Sequence, residues 1–174
     1  MVRWLSNLDA ALTARIYNKP AWLLPLMSVL STAGHPLVII TICGLLALGA
    51  YIIGQVSVGL GFALCLVALA LGGLLKGVLK RERPTSPYAG NMRVKSFSFP
   101  SGHALGTLVF YGYVSVLTLL FLPQIAPVGV LVCAILVLLT GLARVYLGAH
   151  YVGDVLGGWL LGVVALAIIL ETSL

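Results

Sequence analysis

From Ala21 to Leu75 the chain carries no Asp, Glu, Lys or Arg, and the same holds from Ala104 to Ala143. A helix needs about 20 predominantly apolar residues to cross a hydrocarbon core about 30 Å thick, so each run is long enough for more than one crossing. Turn signals divide them. The stretch STAGHP separates residues 21–30 from 36–53, and Gly54-Gln55 separates 36–53 from 56–75. LPQIAP, at 122–127, breaks the second run into two spans, and a last apolar stretch covers 151–170. The pattern predicts an all-α, polytopic membrane helical bundle with about five transmembrane helices and N-terminal interfacial helices. Residues 2–19 read as an amphipathic helix lying on the surface, with Arg3, Asp9, Arg15 and Lys19 offered to the headgroups. Residues 21–30 are too short to span and are expected in the interface or partway into it. No linker or low-complexity stretch divides the chain. It reads as a single domain over 1–174, with interfacial helices in 1–33 and a transmembrane core in 36–170.

Composition strengthens the membrane reading. Hydrophobic residues make up 61% of the chain and charged ones 8%, with a mean hydropathy of +1.15. A soluble domain of this size could not cover its surface with so few polar groups. The formal net charge of +6 then points to anionic lipid or an anionic substrate rather than to nucleic acid. Cys43, Cys65 and Cys133 each lie inside an apolar run, with no C-x-x-C pair, and read as small buried hydrophobes. The first twenty residues mix polar and apolar positions and do not read as a cleavable signal peptide. Gly158 and Gly162, at small-xxx-small spacing, read as a close helix-packing stripe.

The polar residues are not spread evenly. Lys76, Lys80, Arg81, Glu82, Arg83, Arg93 and Lys95 fall within residues 76–100, half of all the Asp, Glu, Lys and Arg in the protein. Five spans fix how this loop relates to the other polar segments. Counted from the N-terminus, the second span delivers residues 76–83 to the starting face, the third leaves that face from PSGH, and the fourth returns Arg144 to it. The fifth leaves it again after YLGAH. The charged loop, Ser101–His103 and residues 144–154 therefore meet at one membrane face.

Ser101, between Pro100 and an apolar run, is placed to cap a helix whose first-turn N–H groups are free. Taken alone it is an ordinary cap. With Gly102 beside it, the same helix start is a ready anion site, and His103 stands in the first turn next to any bound anion. His150 and Asp154 are four residues apart and are expected to share a helix face. A carboxylate that accepts from one ring nitrogen leaves the other as nucleophile or base. Lys76, Arg83 and Arg144 converge with them. Singly, Lys76 and Arg144 suit headgroup snorkelling at span ends, but three cations around one point suit a phosphate. A metal site is the competing chemistry, with His103, His150 and Asp154 as a facial triad. The nearby cations would repel a divalent ion, and acidic residues are scarce for magnesium or a two-metal site. His35 lies apart in sequence, although the crossing count places it on the same face.

Three motifs now line up. KGVLKRERP (residues 76–84) fits K-x6-R-P, PSGH (100–103) is present in full, and ARVYLGAHYVGD (143–154) resembles S-R-x5-H-x3-D. Together, and in this order, they resemble the type 2 phosphatidic acid phosphatase family, whose relatives include bacterial phosphatidylglycerophosphate, undecaprenyl-pyrophosphate and lipid A phosphatases. The resemblance implies a metal-independent, cofactor-free lipid phosphatase. In it His150 is the nucleophile that forms a phosphohistidine, Asp154 orients it, and His103 is the general acid. Lys76, Arg83, Ser101, Gly102 and Arg144 hold the phosphate. Ala143 departs from the pattern, because the family usually has serine there; the change removes one hydroxyl expected near the phosphate.

The expected partners are a membrane lipid phosphate and the bilayer, with no nucleic acid. Substrate candidates are undecaprenyl pyrophosphate, phosphatidylglycerophosphate, phosphatidate and lipid A 1-phosphate. The alternative from another class is a non-catalytic lipid or anion transporter using the same basic cluster. Such a protein needs cations for its anion but not a nucleophile with an acid beside it. Localisation is expected to be the cell (inner) membrane, multi-pass. The basic residues outside the motifs all fall on the motif face, which the positive-inside rule would make cytoplasmic. The family resemblance implies an extracytoplasmic active site, and that expectation is adopted.

Overall fold

The computed structural model describes residues 3–92 and 96–174, with side chains from residue 7 onward. The expectations that touch Val2, Arg93, Lys95 and the side chain of Arg3 lie outside the described residues. Among the described residues the chain is all-helical: α1 (Arg3–Ile16), a 3-10 turn (Ala21–Leu23), α2 (Leu24–Ala33), α3 (Pro36–Ile52), α4 (Val56–Leu79), α5 (Pro87–Gly90), α6 (Gly102–Phe121), α7 (Ala126–Tyr146) and α8 (Val152–Ser173). Five segments are long and apolar enough to cross a membrane: Ala21–Ile52, which joins α2 to α3, and then α4, α6, α7 and α8.

The helix ends follow local chemistry. His35 caps α3, its Nδ1 accepting from the Leu37 N–H at 3.2 Å, with Pro36 in the first turn, where its missing N–H costs nothing. Ser101 caps α6 as expected, its Oγ accepting from Ala104 N–H. Helix α4 runs to Leu79, one turn beyond the expected 75, because Lys76 suits a last turn, where a cation complements the dipole. It stops at Lys80, which takes a left-handed conformation with φ 47°.

Helix α6 is the centre of the bundle and touches α3, α4, α7 and α8. Its Leu105, Val109 and Tyr113 pack with Ile39 and Cys43 of α3, Phe62, Cys65 and Leu69 of α4, and Ile169 of α8. The outward faces are apolar too, as at Leu45, Leu74 and Leu160, because lipid rather than water surrounds them. Gly158 is required where α8 crosses α6: a Cβ there would lie 2.8 Å from the Ser101 carbonyl oxygen. This close approach lets the Ser101 N–H donate to the Asp154 carbonyl at 3.0 Å, so the N-termini of α6 and α8 are locked side by side. Helix α2 packs along α7 through Met27, Ala143, Tyr146 and Leu147.

One local expectation is corrected. His150 is not on the helix of Asp154. Helix α8 starts at Val152 with Tyr151 as its cap, and His150 lies in the turn before it. Asp154 occupies the third helical position and accepts from the Tyr151 N–H at 2.8 Å. That bond closes the helix start and turns His150 back over the carboxylate.

Candidate active site

Four helix ends meet at one face. The C-terminal turns of α4 and α7 carry Lys76 and Arg144, and the N-termini of α6 and α8 bring His103 and Asp154. Between them residues 80–92 and 96–100 fold inward. The segments that the crossing count places on one face are therefore in direct contact.

His150 is 1% exposed and Asp154 is fully buried. His150 Nδ1 stands 3.5 Å from Asp154 Oδ2, a long contact. Ser98 fills the gap: its hydroxyl lies 3.3 Å from Nδ1 and donates a short hydrogen bond to Asp154 Oδ2. On the opposite side of the ring, Arg83 Nη1 is 3.1 Å from Nε2. Guanidinium can only donate, so Nε2 accepts and the ring proton sits on Nδ1, facing Ser98 and Asp154. Burial, and then the charges of Arg144, Arg83 and Lys76, hold the His150 imidazole well below its ordinary pKa. The ring is neutral at physiological pH, with a lone pair on Nε2.

The three expected anion-binding cations differ in their surroundings. Arg83 donates to the carbonyls of Ser96 (2.8 Å) and Ala149 (2.7 Å) and to Ser96 Oγ (3.0 Å), which pins the loop against the turn before α8. Lys76 Nζ donates to the carbonyls of Phe97 (3.1 Å), Ser98 (3.4 Å) and Pro100 (2.5 Å). In this state its ammonium clamps the strand of chain that leads into PSGH. Arg144, 1% exposed, donates to Ser31 Oγ at 2.5 Å and to Tyr88 OH at 3.1 Å, and its Nε has no partner. Burial raises the Tyr88 phenol, but the Arg144 charge and hydrogen bond outweigh it, and the group lies below its ordinary value.

His103 and Arg144 line a cavity of about 540 Å³ together with His35, Tyr88, Asn91 and Met92. His103 Nε2 is buried and has no hydrogen-bond partner, which is costly unless a ligand or water completes it. The His35 ring meets the His103 ring edge-on at 5.3 Å. Gly102 is half-exposed, and a Cβ there would meet protein atoms only at ordinary contact distances, 3.6 Å at the nearest. Packing within the protein does not demand glycine at that point. Among the described residues no three His, Cys, Asp or Glu side chains gather as metal ligands, so the triad of His103, His150 and Asp154 is not assembled as one.

One further expectation is corrected. Asp9 does not face the headgroups: it is turned inward and pairs with Arg81 at 2.6 Å. Ala143, where the family pattern has serine, is fully buried and packs with Met27, Tyr146 and Leu147 between α2 and α7. The sequence reading gave Ser98, Arg81, Asp9, Ser31 and Tyr88 no part in the site. Ser98 sits three residues before Ser101, and Asp9 is one of only four acids in the chain; both facts were available signals. Nothing in the sequence marks Ser31 or Tyr88.

Comparison with known proteins identifies the family. Over 159 residues the chain is 31% identical to phosphatidylglycerophosphatase B of Bacillus subtilis, covering 88% of this chain and 77% of that one. Over 153 residues it is 34% identical to an undecaprenyl-diphosphatase of Sulfolobus acidocaldarius, covering 84% of this chain and 68% of the relative. Its fold matches the crystal structure of a transmembrane PAP2 type phosphatidylglycerolphosphate phosphatase from Bacillus subtilis. The TM-score is 0.84 at 24% identity, over 98% of this chain and 86% of that one. Residues 56–173, which hold every motif named above, match the PAP2 superfamily, and the chain belongs to that family.

Proposed function

We propose that this protein is a metal-independent membrane phosphatase that hydrolyses the terminal phosphate of a lipid phosphate or lipid pyrophosphate through a phosphohistidine. The observation that carries the reading is the fixed tautomer of His150. Its proton is held on the Nδ1 side by Ser98 and Asp154, and its Nε2 lone pair faces a guanidinium that prefers a phosphate oxygen. The unpartnered His103 Nε2, in the cavity that Arg144 also lines, supports the assignment of an acid there. The names of the two curated relatives support the substrate class.

In the first step the phosphate enters beside the α6 start and draws Arg83 from Nε2 onto its own oxygens. Arg144 and the first-turn N–H groups of α6 share the charge, with Ser101 and Gly102 at the cap. The lone pair on Nε2 attacks phosphorus in line. The bond from phosphorus to the leaving lipid oxygen breaks, and His103 gives that oxygen a proton. Ser98 and Asp154 stabilise the imidazolium-like ring as it forms. In the second step His103 takes a proton from water, the water oxygen attacks phosphorus, and the P–N bond breaks. Inorganic phosphate leaves and His150 returns to its neutral form. Most of the rate gain in such a site comes from positioning and fixed charge.

Lys76 serves this site by clamping the loop before PSGH as well as by its charge. The active face is placed on the extracytoplasmic side of the inner membrane, with the basic rim capturing anionic headgroups. The test is phosphate release by the purified protein from a panel of phosphatidylglycerophosphate, undecaprenyl pyrophosphate, phosphatidate and lipid A 1-phosphate. Release from at least one of them, lost in His150→Ala, is expected. Binding of these lipids without any phosphate release would favour the transporter reading instead.

A further inference from the structure

Helix α1 lies outside the family match, which begins at residue 56, yet its side chains reach the active centre. Asp9 Oδ2 accepts from Arg81 Nη2 at 2.6 Å, and Arg81 Nη1 donates to Asp154 Oδ1 at 2.8 Å. One guanidinium thus bridges a carboxylate on α1 and the buried carboxylate beside His150. Asp9 Oδ1 accepts from the Gly153 N–H at 2.9 Å. Thr13 Oγ1 accepts from the Val152 N–H at 3.1 Å and donates to the Asp9 carbonyl at 2.7 Å. Two of the free N–H groups at the start of α8 are therefore satisfied by side chains of another helix. Gly153 makes room for this contact, since a Cβ there would fall 2.7 Å from Asp9 Oδ2. The bridge is shielded: the Arg81 and Asp9 side chains are 18% and 14% exposed, and Arg81 stacks over the Tyr151 ring at 4.4 Å.

We propose that Asp9 is a positioning residue of the active centre, which acts through Arg81 to hold Asp154 in register with His150. The inference rests on the phosphohistidine reading above. Asp154 has two oxygens and two tasks. Oδ2 serves Ser98, His150 and the Tyr151 N–H, and among the described residues Oδ1 is held only by Arg81. Without Asp9, Arg81 keeps its stacking on Tyr151 but loses the ion pair on its far side, and the guanidinium is freer to rotate away from the Asp154 carboxylate. A planar fork is needed to bridge two carboxylates in fixed geometry, so lysine at 81 would not replace it. With a short-chain substrate the effect should fall on turnover and not on phosphate binding: neither Asp9 nor Arg81 lines the cavity that holds His103 and Arg144, and the apolar cavity of about 670 Å³ that they do line with Leu8, Leu12, Phe99 and Leu156 is left unused by a short chain.

The experiment compares the full chain with Asp9→Asn, Asp9→Glu, Thr13→Val and Arg81→Lys, in the wild-type and the Asp154→Asn backgrounds. Phosphate release from a short-chain lipid phosphate gives kcat and KM separately, and thermal unfolding is followed in parallel. Asp9→Asn and Arg81→Lys are expected to lower kcat about tenfold, with KM within twofold of wild type. Asp9→Glu should recover most of the loss. Thr13→Val, which removes a cap but leaves the bridge, should keep kcat within twofold. In the Asp154→Asn background Asp9→Asn should have no further effect on kcat. A purely structural role predicts the same fractional loss in both backgrounds, together with lower thermal stability; that result, or unchanged kcat in Asp9→Asn, overturns the inference. If wild type releases no phosphate, or His150→Ala is as active as wild type, the phosphohistidine reading fails first and this inference falls with it.

Discussion

Arg83 Nη1 stands 3.1 Å from His150 Nε2, so a permanent cation occupies the lone pair that the proposed chemistry needs. The contact fixes the tautomer of the free protein, and in the proposed mechanism it is exchanged for a phosphate oxygen when the substrate arrives. It also makes His150 hard to protonate, since burial, Arg144, Arg83 and Lys76 all disfavour the imidazolium. The His150 imidazole is thereby kept neutral, as the proposed nucleophile requires.

A pH dependence follows. A histidine with a lowered pKa stays neutral as pH falls through its ordinary value of about 6.5. The acid limb of kcat/KM that belongs to His150 therefore lies below that value. Arg83→Gln removes one of the charges that lower it, so the limb should move upward in pH, in addition to an overall loss of rate. A profile of kcat/KM against pH for both proteins checks this; a downward movement of the limb would contradict the assignment.

His150→Ala should reduce phosphate release by about a thousandfold or more while the protein still inserts and purifies, as expected for loss of a nucleophile. Asp154→Asn should be less severe, since it orients and does not attack. Acid-labile phosphate trapped on the wild-type protein after a rapid quench, and absent from His150→Ala, is the direct measurement.

Ser98→Ala leaves the 3.5 Å gap between His150 Nδ1 and Asp154 without its bridging hydroxyl. Loss of a hydrogen bond to a charged group implies a drop in kcat of about tenfold to a hundredfold. Ser98→Thr, which keeps the hydroxyl, should retain more activity than the alanine variant. Equal activity of Ser98→Ala and wild type would show that His150 and Asp154 act without the relay.

Topology is open to labelling. The three native cysteines are buried, so a thiol reagent reports introduced ones. Cysteines at Glu82 and Lys19 should react from one membrane face, and those at Gln55 and Gln124 from the other; all four positions are exposed. The same data decide whether the active face is extracytoplasmic, as proposed, or cytoplasmic, as the basic residues alone would have it.

Activity should survive excess chelator and be inhibited by vanadate. The warrant is the fixed charge of Lys76, Arg83 and Arg144, which supplies the field that a metal would otherwise provide. Vanadate can become five-coordinate, like a phosphoryl group under attack. Loss of activity in chelator, restored by a divalent ion, would overturn the metal-free mechanism.

What the sequence determined by itself is the membrane class, the helix order and the face on which the polar residues meet. These depend on local quantities: uncharged runs of spanning length, turn residues between them, and the parity of crossings. Ser101 as a cap and Gly158 as a packing glycine were legible for the same reason, because each depends on a short stretch of chain. The tertiary structure decided what cannot be read along the chain. His150 approaches Asp154 from a turn and not from a shared helix face, because Asp154 is used to close the start of α8. Ser98 joins the pair because Lys76 clamps the loop that carries it. Asp9 is 145 residues from Asp154 in sequence, and it reaches Arg81 only because α1 lies across the start of α8. Ser31 and Tyr88 meet Arg144 because α2 packs on α7 and the short α5 folds over the cavity. A buried charge takes whatever polar partners packing brings within reach, and that choice is made between helices, where a periodic pattern carries no information.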